Sequence, residues 1–251
     1  MYAHYSILNG QIAKENPGTD KYNDLIILEE HYLNYRSNME SVNYELMQIE
    51  DFDYAANEMN EYLLHVDNVM SAHRINAQTK LRSSVLEELS TYLFKNNSFI
   101  VENELEFFNK EIYAGVLVER DLQYRVLYKD VDFCIGKTSS MAINGVEMIV
   151  RFPFVCIEAK TYLDSTMHHE ALFSGTQLKT ASPDVKTYVL MEYQDEISKN
   201  APVPASYSYA INGKYNLRAC KRPSSPARRR QLTAIEGGLL KAYYSAVVEA
   251  L

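Results

Sequence analysis

Glycine is scarce in this chain, which has 9 Gly among 251 residues. The glycine-rich patterns GxGxxG and GxxxxGK[ST] do not occur, and this argues against the common phosphate-binding loops of nucleotide-binding enzymes. Apolar runs extend over only a few residues, whereas a membrane-spanning helix needs about 20. The N-terminus has no basic segment followed by an apolar one, so we expect neither a signal peptide nor a membrane partner.

Cysteine is also rare, and tryptophan does not occur. The three cysteines, Cys134, Cys156 and Cys220, are odd in number and widely spaced. This spacing predicts neither a disulfide framework nor a zinc site, and it indicates a reducing compartment such as the cytoplasm. Hydrophobic residues make up 47% of the chain, which excludes an intrinsically disordered protein.

The net charge is −8, and it is distributed unevenly along the chain. The first 76 residues contain 13 acidic and 4 basic residues, whereas residues 199–230 contain 8 basic residues and no acid. A basic segment that also contains tyrosines is a candidate contact for nucleic-acid phosphates. From charge alone, a solvated loop that balances the acidic remainder of the protein is an equally good explanation.

Hydrophobic periodicity predicts helices first and strands afterwards. Apolar residues recur at helical spacing from about residue 20 to 96. β-rich stretches separated by polar or glycine-containing turns follow, beginning with residues 99–108. The remaining predicted elements are a helix at 165–182, a short hairpin near Asn212-Gly213 and a C-terminal helix at 231–251. This order predicts an α/β protein in which helices flank a central mixed sheet.

Two of the predicted strands carry charged residues where a buried strand has apolar ones. In YKDVDFCIG, Asp130 and Asp132 share one face, and in FVCIEAKTY, Glu158 and Lys160 share one face. Such charges are costly to bury unless they are paired or bind a metal ion. Two carboxylates can hold a hard cation such as Mg²⁺, with water at its remaining positions. The lysine can then orient or deprotonate the attacking water, or stabilise charge that develops on a phosphate.

An acid two residues before a lysine is not a specific signal, because Asp184-Val-Lys186 has the same spacing. That second copy follows Pro183 at a predicted turn between a helix and a strand, where charged residues are common, and we discount it. Glu158 and Lys160 could also form a simple salt bridge on an edge strand. The strongly apolar residues before them favour a buried strand instead.

The segments VDFCIGK and FPFVCIEAKTYLD, with a helix before them and a helix and a strand after them, resemble the core of the PD-(D/E)xK nucleases. They resemble type II restriction endonucleases in particular, over roughly residues 80–193. The resemblance implies that Asp132 and Glu158 bind Mg²⁺ and that Lys160 acts on the attacking water. Val131 stands where the family motif has proline, so Asp130 remains an alternative to Asp132. We prefer Asp132 because apolar residues flank it on both sides.

Many members of this superfamily also use a glutamate from a helix that precedes the core. Glu87 and Glu88 are the candidates here. On a helical wheel Glu88 borders the apolar stripe and can reach inward, whereas Glu87 faces water. We therefore expect Glu88 to be the catalytic glutamate, with a solvated helix acid as the alternative.

The resemblance implies a type II restriction endonuclease of a prokaryotic restriction-modification system. It would hydrolyse double-stranded DNA with Mg²⁺ and leave 5′-phosphate ends. It would act in the cytoplasm as a homodimer, or as a heterodimer if its recognition site is asymmetric. The alternatives are a DNA repair or junction-resolving nuclease of the same fold, a DNA-binding protein without catalysis, and an acidic helical protein in which the motif is accidental.

We predict three regions along the chain. A helical N-terminal region for DNA recognition or dimerisation occupies 1–79, and the nuclease core occupies 80–198. A basic loop and a C-terminal helix at 199–251 complete the same domain as the core. Side chains that read the DNA grooves are expected in the basic segment and the N-terminal helices. The residues predicted to contact DNA are Lys137, Lys214, Arg218, Lys221, Arg222, Arg228, Arg229 and Arg230.

Overall fold

The computed structural model describes residues 2–121, 123–143, 145–193, 209–219 and 234–251. The chain divides into two units. The first comprises Met1–Asn97 and Leu217–Tyr244, and the second comprises Ser98–Asn216 and Ser245–Leu251. Most of the basic segment at 199–230 lies outside the described residues.

The described helices are α1 (Ala3–Ile12), α2 (Asp20–Ser41), α3 (Ile49–Ala72), α4 (Ser83–Phe94), α5 (Ser98–Glu102), α6 (Ser165–Ala181) and α7 (Gly237–Val248). Short 3₁₀ turns occur at Tyr44–Leu46 and Ala77–Thr79. The first unit is helical, and each long helix in it buries one apolar face. Along α2, the buried residues recur every three or four positions and are Leu25, Leu28, Tyr32, Tyr35 and Met39.

The helices predicted between about residues 20 and 96 are confirmed, whereas α1 lies before the stretch in which periodicity predicted helices. This helix buries only two side chains, His4 and Leu8, so its sequence has no apolar stripe to detect. Its N-terminal residue Tyr2 provides no side-chain cap. The N-terminus of α1 therefore depends on contacts with another helix.

Among the residues that the structure describes, the second unit contains a seven-stranded mixed sheet. Its strands are β1 (Glu106–Phe108), β2 (Ile112–Val118), β3 (Tyr124–Lys129), β4 (Phe133–Ile143), β5 (Val146–Lys160), β6 (Lys186–Met191) and β7 (Gly213–Asn216). The strand order is β1-β4-β5-β2-β3, and β6 pairs with both β5 and β7. The β4–β5 pair is antiparallel, whereas β5–β6 and β6–β7 are parallel. This architecture confirms the predicted α/β fold with a mixed sheet.

Two local predictions were wrong. The stretch 99–108 was expected to be a strand, but its first part forms α5, where the Asn103 amide closes a helical turn onto the Phe99 carbonyl at 3.1 Å. Asn212-Gly213 was expected to turn a hairpin, but Gly213 begins β7, which runs parallel to β6. Asn212 instead joins the two strands, because its side-chain oxygen accepts the Thr187 amide at 2.9 Å.

The predicted division at residue 80, with helix α4 in the nuclease core, stays a prediction. The first of the two units extends to Asn97 and therefore includes α4. Most of α7 lies there too, and its packing against α4 explains why. The Tyr243 and Ser90 hydroxyls are 2.7 Å apart, and the Tyr244 ring stacks on Phe94 with 5.2 Å between centroids.

Helix α6 covers one face of the sheet in the second unit. A buried apolar cluster lies in this layer and consists of Phe108, Ile112, Val131, Cys134, Cys156, Leu178 and Val185. The predicted charged residues of β5 follow Cys156 on the same face, at the edge of this cluster. Among the described residues, none of the helices combines the length and the apolar character that a bilayer crossing requires.

Candidate active site

The pairing of β4 with β5 brings Asp132 to the end of β5. The last residue pair in this ladder is Phe133 with Ile157, so Asp132 lies one residue beyond it. Its carboxylate accepts the backbone amide of Ala159 at 2.8 Å. The acid therefore takes a backbone donor of β5 at the point where β4 begins, and it lies beside the Glu158–Lys160 segment.

Lys160 lies between the two carboxylates. Its ammonium nitrogen is 3.2 Å from Glu158 Oε2 and 3.9 Å from Asp132 Oδ2. The side chains of Asp132, Glu158 and Lys160 are 18%, 21% and 25% exposed. The cluster is thus mostly buried but still open to solvent, as a site that admits a substrate must be.

The carboxylates determine the protonation of Lys160. Burial alone would lower the pKa of this lysine, but the negative charges of Glu158 and Asp132 outweigh burial and raise its pKa above the ordinary value. Lys160 is therefore a cation near neutral pH. In the absence of a bound cation, its charge reduces the repulsion between the two acids.

A third contact fixes Glu158, and the sequence analysis did not identify it. The Ser174 hydroxyl, on α6, donates to Glu158 Oε1 at 2.8 Å. Ser174 is buried on the same side of α6 as Ala171 and Leu178, which lie three positions before and four positions after it. A serine inside an apolar helical stripe is a signal that could have been found in the sequence.

The donor atoms of this site fit a hard divalent cation. Asp132 and Glu158 supply carboxylate oxygens, which Mg²⁺ prefers, and Mg²⁺ is commonly held by one or two carboxylates and several waters. Within the part of the chain that the structure describes, no group of three or more His, Cys, Asp and Glu residues is arranged to hold a metal ion. The cluster therefore suits a cation that keeps most of its water, and it does not suit a fully protein-enclosed metal.

The sequence model of the Bpu10I restriction endonuclease family matches residues 78–249. This chain belongs to that family. The predicted restriction endonuclease is thereby confirmed, and so is its class, an enzyme that cleaves DNA internally. The match begins in the region just before α4 and includes Asp132, Glu158 and Lys160.

The fold is similar to that of a solved restriction enzyme. The structure described as the native BbvCI A2B2 tetramer at low resolution aligns with a TM-score of 0.78. The alignment covers 100% of this chain and 96% of that chain at 17% sequence identity. At this identity the likeness shows a shared fold, and it confirms the predicted restriction-endonuclease-like architecture. The search of curated proteins found no match.

The alternative aspartate, Asp130, lies outside the cluster of charged residues. It is exposed, and its carboxylate accepts the Glu111 amide at 3.1 Å in the turn before β2. The discounted Asp184 is likewise exposed, in the turn that leads to β6. Of the acids considered in these motifs, the structure brings Asp132 and Glu158 together around Lys160.

Glu88 is buried within the helical unit, with 1% of the residue exposed. Its Oε2 accepts the backbone amides of His4 at 2.8 Å and Tyr5 at 3.4 Å, which belong to the first turn of α1. Its Oε1 accepts the Tyr32 hydroxyl at 2.8 Å and also the Tyr92 hydroxyl. The carboxylate therefore caps α1, whose own sequence provides no capping side chain.

The catalytic role expected for Glu88 remains a prediction, whereas the contacts observed for it are structural. Burial raises its pKa, and the hydrogen bonds from Tyr92, Tyr32 and the α1 amides oppose that shift. Glu87 was expected to face water, but its side chain is only 11% exposed and lies 3.9 Å from the Lys80 ammonium. The helical wheel correctly predicted that Glu88 points inward, but it predicted more solvent exposure for Glu87 than the structure shows.

The predicted DNA contacts have different environments. Lys137 and Lys214 are exposed, and Lys137 donates to the Asn103 carbonyl at 3.1 Å. Arg218 is 5% exposed and approaches Asn60 Oδ1 at 3.5 Å, and its contact with DNA stays a prediction. The remaining predicted contacts lie outside the described residues and are Lys221, Arg222, Arg228, Arg229 and Arg230.

Proposed function

We propose that Asp132, Glu158 and Lys160 are the catalytic residues of a type II restriction endonuclease that uses Mg²⁺ and leaves 5′-phosphate ends on double-stranded DNA. One observation carries this proposal. The Lys160 ammonium lies 3.2 Å from Glu158 and 3.9 Å from Asp132, at the open end of two neighbouring strands. Phosphodiester hydrolysis needs such oxygen ligands for a cation together with a fixed positive charge.

Each residue has a separate role in this proposal. Asp132 and Glu158 hold the cation, which when bound neutralises charge on the phosphate and makes nearby water more acidic. Lys160 donates hydrogen bonds to a phosphate oxygen and stabilises the negative charge that develops during attack by water. The position of its ammonium beside both carboxylates places a positive charge where the phosphate would meet the cation.

The test uses plasmid or phage DNA and maps the ends of the products. We expect discrete fragments with 5′-phosphates in the presence of Mg²⁺, and no cleavage after chelation. Glu158→Gln and Lys160→Ala should lose cleavage, while Asp184→Asn, which changes the discounted copy of the motif, should retain it. Random degradation, or unchanged cutting by the first two variants, would contradict the proposal. Cleavage directed by DNA junctions or lesions would instead favour a repair or junction-resolving nuclease.

The assembly of the enzyme is a further part of the proposal. A homodimer suits a symmetric recognition site. The BbvCI structure is described as an A2B2 tetramer, which contains two kinds of chain, and this supports a second, non-identical subunit as the alternative. Native mass spectrometry of the chain purified alone, together with a cleavage assay, distinguishes a homodimer from an assembly that needs a second kind of subunit. A homodimer that cuts both strands supports the first arrangement, and a chain that cuts both strands only after a second protein is added supports the other.

A further inference from the structure

The hydroxyl of Ser174 has a different kind of partner from the hydroxyls of Thr176 and Thr180, which lie on the same helix. Serine and threonine within a helix commonly bond back to a carbonyl of the preceding turn. Thr176 does so with the Leu172 carbonyl at 2.9 Å, and Thr180 does so with the Thr176 carbonyl at 2.8 Å. Ser174 points away from its helix and donates to Glu158 Oε1 at 2.8 Å.

Because of this contact, the two carboxylate oxygens of Glu158 have different partners. Oε1 is held by Ser174 on α6, and Oε2 faces the Lys160 ammonium at 3.2 Å. A glutamate side chain has three rotatable bonds, so a carboxylate without such an anchor samples several orientations. The hydroxyl limits Glu158 to the orientation that presents Oε2 to the cluster formed with Asp132 and Lys160.

The position of Ser174 is in turn fixed by close packing at the next residue. A Cβ on Gly175 would lie 2.2 Å from the Ala210 carbonyl oxygen, so only glycine lets α6 approach the segment before β7 this closely. The same carbonyl accepts the hydroxyl of Thr187 in β6. Lys179, one helical turn further along α6, donates to the Tyr209 carbonyl at 2.6 Å. These contacts hold α6 close enough to the sheet for the Ser174 hydroxyl to reach Glu158.

We propose that Ser174 is a positioning residue that orients Glu158 for cation binding, an inference that rests on the proposed function. Groups that hydrogen-bond to a metal ligand fix its orientation, and their loss typically weakens metal binding or activity by about 10- to 100-fold. Ser174 is 5% exposed, so its hydroxyl acts through Glu158 and does not contact the DNA itself.

The test compares Ser174→Ala with Ser174→Thr, which keeps a hydroxyl, and with Thr176→Val, which removes a hydroxyl that bonds only to the helix. Mn²⁺ binding to the DNA-free protein is measured by electron paramagnetic resonance, and the Mg²⁺ dependence of cleavage is measured in parallel. For Ser174→Ala we expect roughly 10-fold weaker Mn²⁺ binding and a similar increase in the Mg²⁺ concentration that gives half-maximal cleavage. Thr176→Val should match the wild type in both measurements, and Ser174→Thr should recover most of the loss.

Thermal unfolding identifies any variant that is not fully folded at the assay temperature. Ser174→Cys, close in size to serine but a poor donor, replaces Ser174→Ala if the latter does not fold. Wild-type cleavage with unchanged Mn²⁺ binding and Mg²⁺ dependence in the folded variant would overturn the role of Ser174 and leave the proposed function intact. A wild-type protein that neither binds Mn²⁺ nor cuts DNA would overturn both.

Discussion

Two aspartates only two residues apart show how strongly the environment determines what a side chain can do. Asp130 and Asp132 share a strand face in the sequence pattern, but β4 begins at Phe133 and the chain before it leaves the ladder. Asp130 therefore caps an exposed turn through the Glu111 amide, and Asp132 reaches the Ala159 amide beside Lys160. The two aspartates are chemically identical, but their different positions relative to the start of β4 give them different partners.

The first prediction compares the same substitution at Asp132 and at Asp130. Asp132→Asn removes a charge that faces Lys160 and a predicted cation ligand, so we expect cleavage to fall by at least about 100-fold. Asp130→Asn makes the same chemical change in an exposed turn and should leave the rate within about twofold, since surface substitutions are nearly neutral. Initial cleavage rates at saturating Mg²⁺ check both variants. Equal losses in the two would show that the site extends to Asp130.

Glu88 leads to a second prediction at this scale. Glu88→Ala leaves the α1 amides of His4 and Tyr5 without their acceptor and opens a space beside Tyr32 and Tyr92. We expect the free energy of unfolding to fall by about 3 kcal/mol, because hydrogen bonds to a buried charged group are lost. Glu30→Ala, at an exposed position of α2, should cost less than about 0.5 kcal/mol, since surface substitutions are usually nearly neutral. Urea denaturation gives both values.

Glu88→Gln separates the structural role from the catalytic role. Glutamine keeps the shape of the side chain and an oxygen that can accept the α1 amides. If the role is only structural, the folded variant should cut DNA at close to the wild-type rate. A folded variant without cleavage would support the catalytic role predicted from the sequence.

His4 makes the stability of the helical unit depend on pH. Burial lowers its pKa from 6.5 to about 3, and its ring nitrogens contact Ser84 Oγ at 2.9 Å and the Tyr62 hydroxyl at 2.5 Å. Between these two pH values the unfolded chain binds a proton that the folded chain does not. Stability is therefore lost as the pH falls below 6.5, by about 1.4 kcal/mol for each unit.

The measurement compares urea denaturation of the wild type and His4→Gln at pH 7 and pH 5. The variant lacks the titrating ring, so its stability should fall less on acidification than that of the wild type. Glu88 and the other titrating groups are present in both proteins, and their contributions cancel in the comparison. Identical pH dependence would show that the pKa of His4 is the same in the folded and the unfolded protein.

At the scale of elements, α6 connects the fold to the site. Its N-terminus is capped by Asp164, whose carboxylate accepts the Met167 amide at 2.8 Å. Its buried face packs on the sheet, and the same face carries Ser174. The helix thus stabilises the sheet and also supplies a hydrogen bond to one of the predicted cation ligands. A shift of α6 by a fraction of an ångström is enough to separate Ser174 from Glu158.

Gly175→Ala tests this connection. The added Cβ would lie 2.2 Å from the Ala210 carbonyl oxygen, so α6 must move away from it. We expect a loss of about 1–3 kcal/mol in the free energy of unfolding and a reduced cleavage rate in the molecules that remain folded. Gly10→Ala is the control, because nothing lies within 4 Å of its added Cβ and it should not slow cleavage. Denaturation and cleavage assays on the same preparations separate stability from positioning.

At the scale of the whole molecule, charge is divided along the chain. The first 76 residues contain 13 acids and 4 bases, whereas residues 199–230 contain 8 bases and no acid. DNA binding by a protein of net charge −8 requires such a separation, because a uniform negative charge would repel phosphates. The family match confirms an enzyme that acts on DNA, and the basic segment remains the predicted contact.

The final prediction concerns Arg228, Arg229 and Arg230, which lie outside the described residues. Replacing all three with alanine should weaken DNA binding. It should also reduce the slope of log K against log salt by about 0.9 for each phosphate contact that is lost. Filter binding or fluorescence anisotropy in Ca²⁺, measured over a range of salt concentrations, gives the slope. An unchanged slope would assign these arginines to a solvated loop.

The sequence by itself determined the class of fold and the Glu158–Lys160 pair of the candidate site, and it left Asp130 and Asp132 as alternatives for the second acid. Strand alternation is a local property, so Glu158 and Lys160 could be assigned to one face of their strand from their spacing. The tertiary structure alone decided between Asp130 and Asp132, brought Ser174 to Glu158 and placed Glu88 at the N-terminus of α1. These contacts join residues that are 16 to 84 positions apart. They depend on strand register and helix packing, which cannot be predicted from the hydrophobic periodicity of a single element.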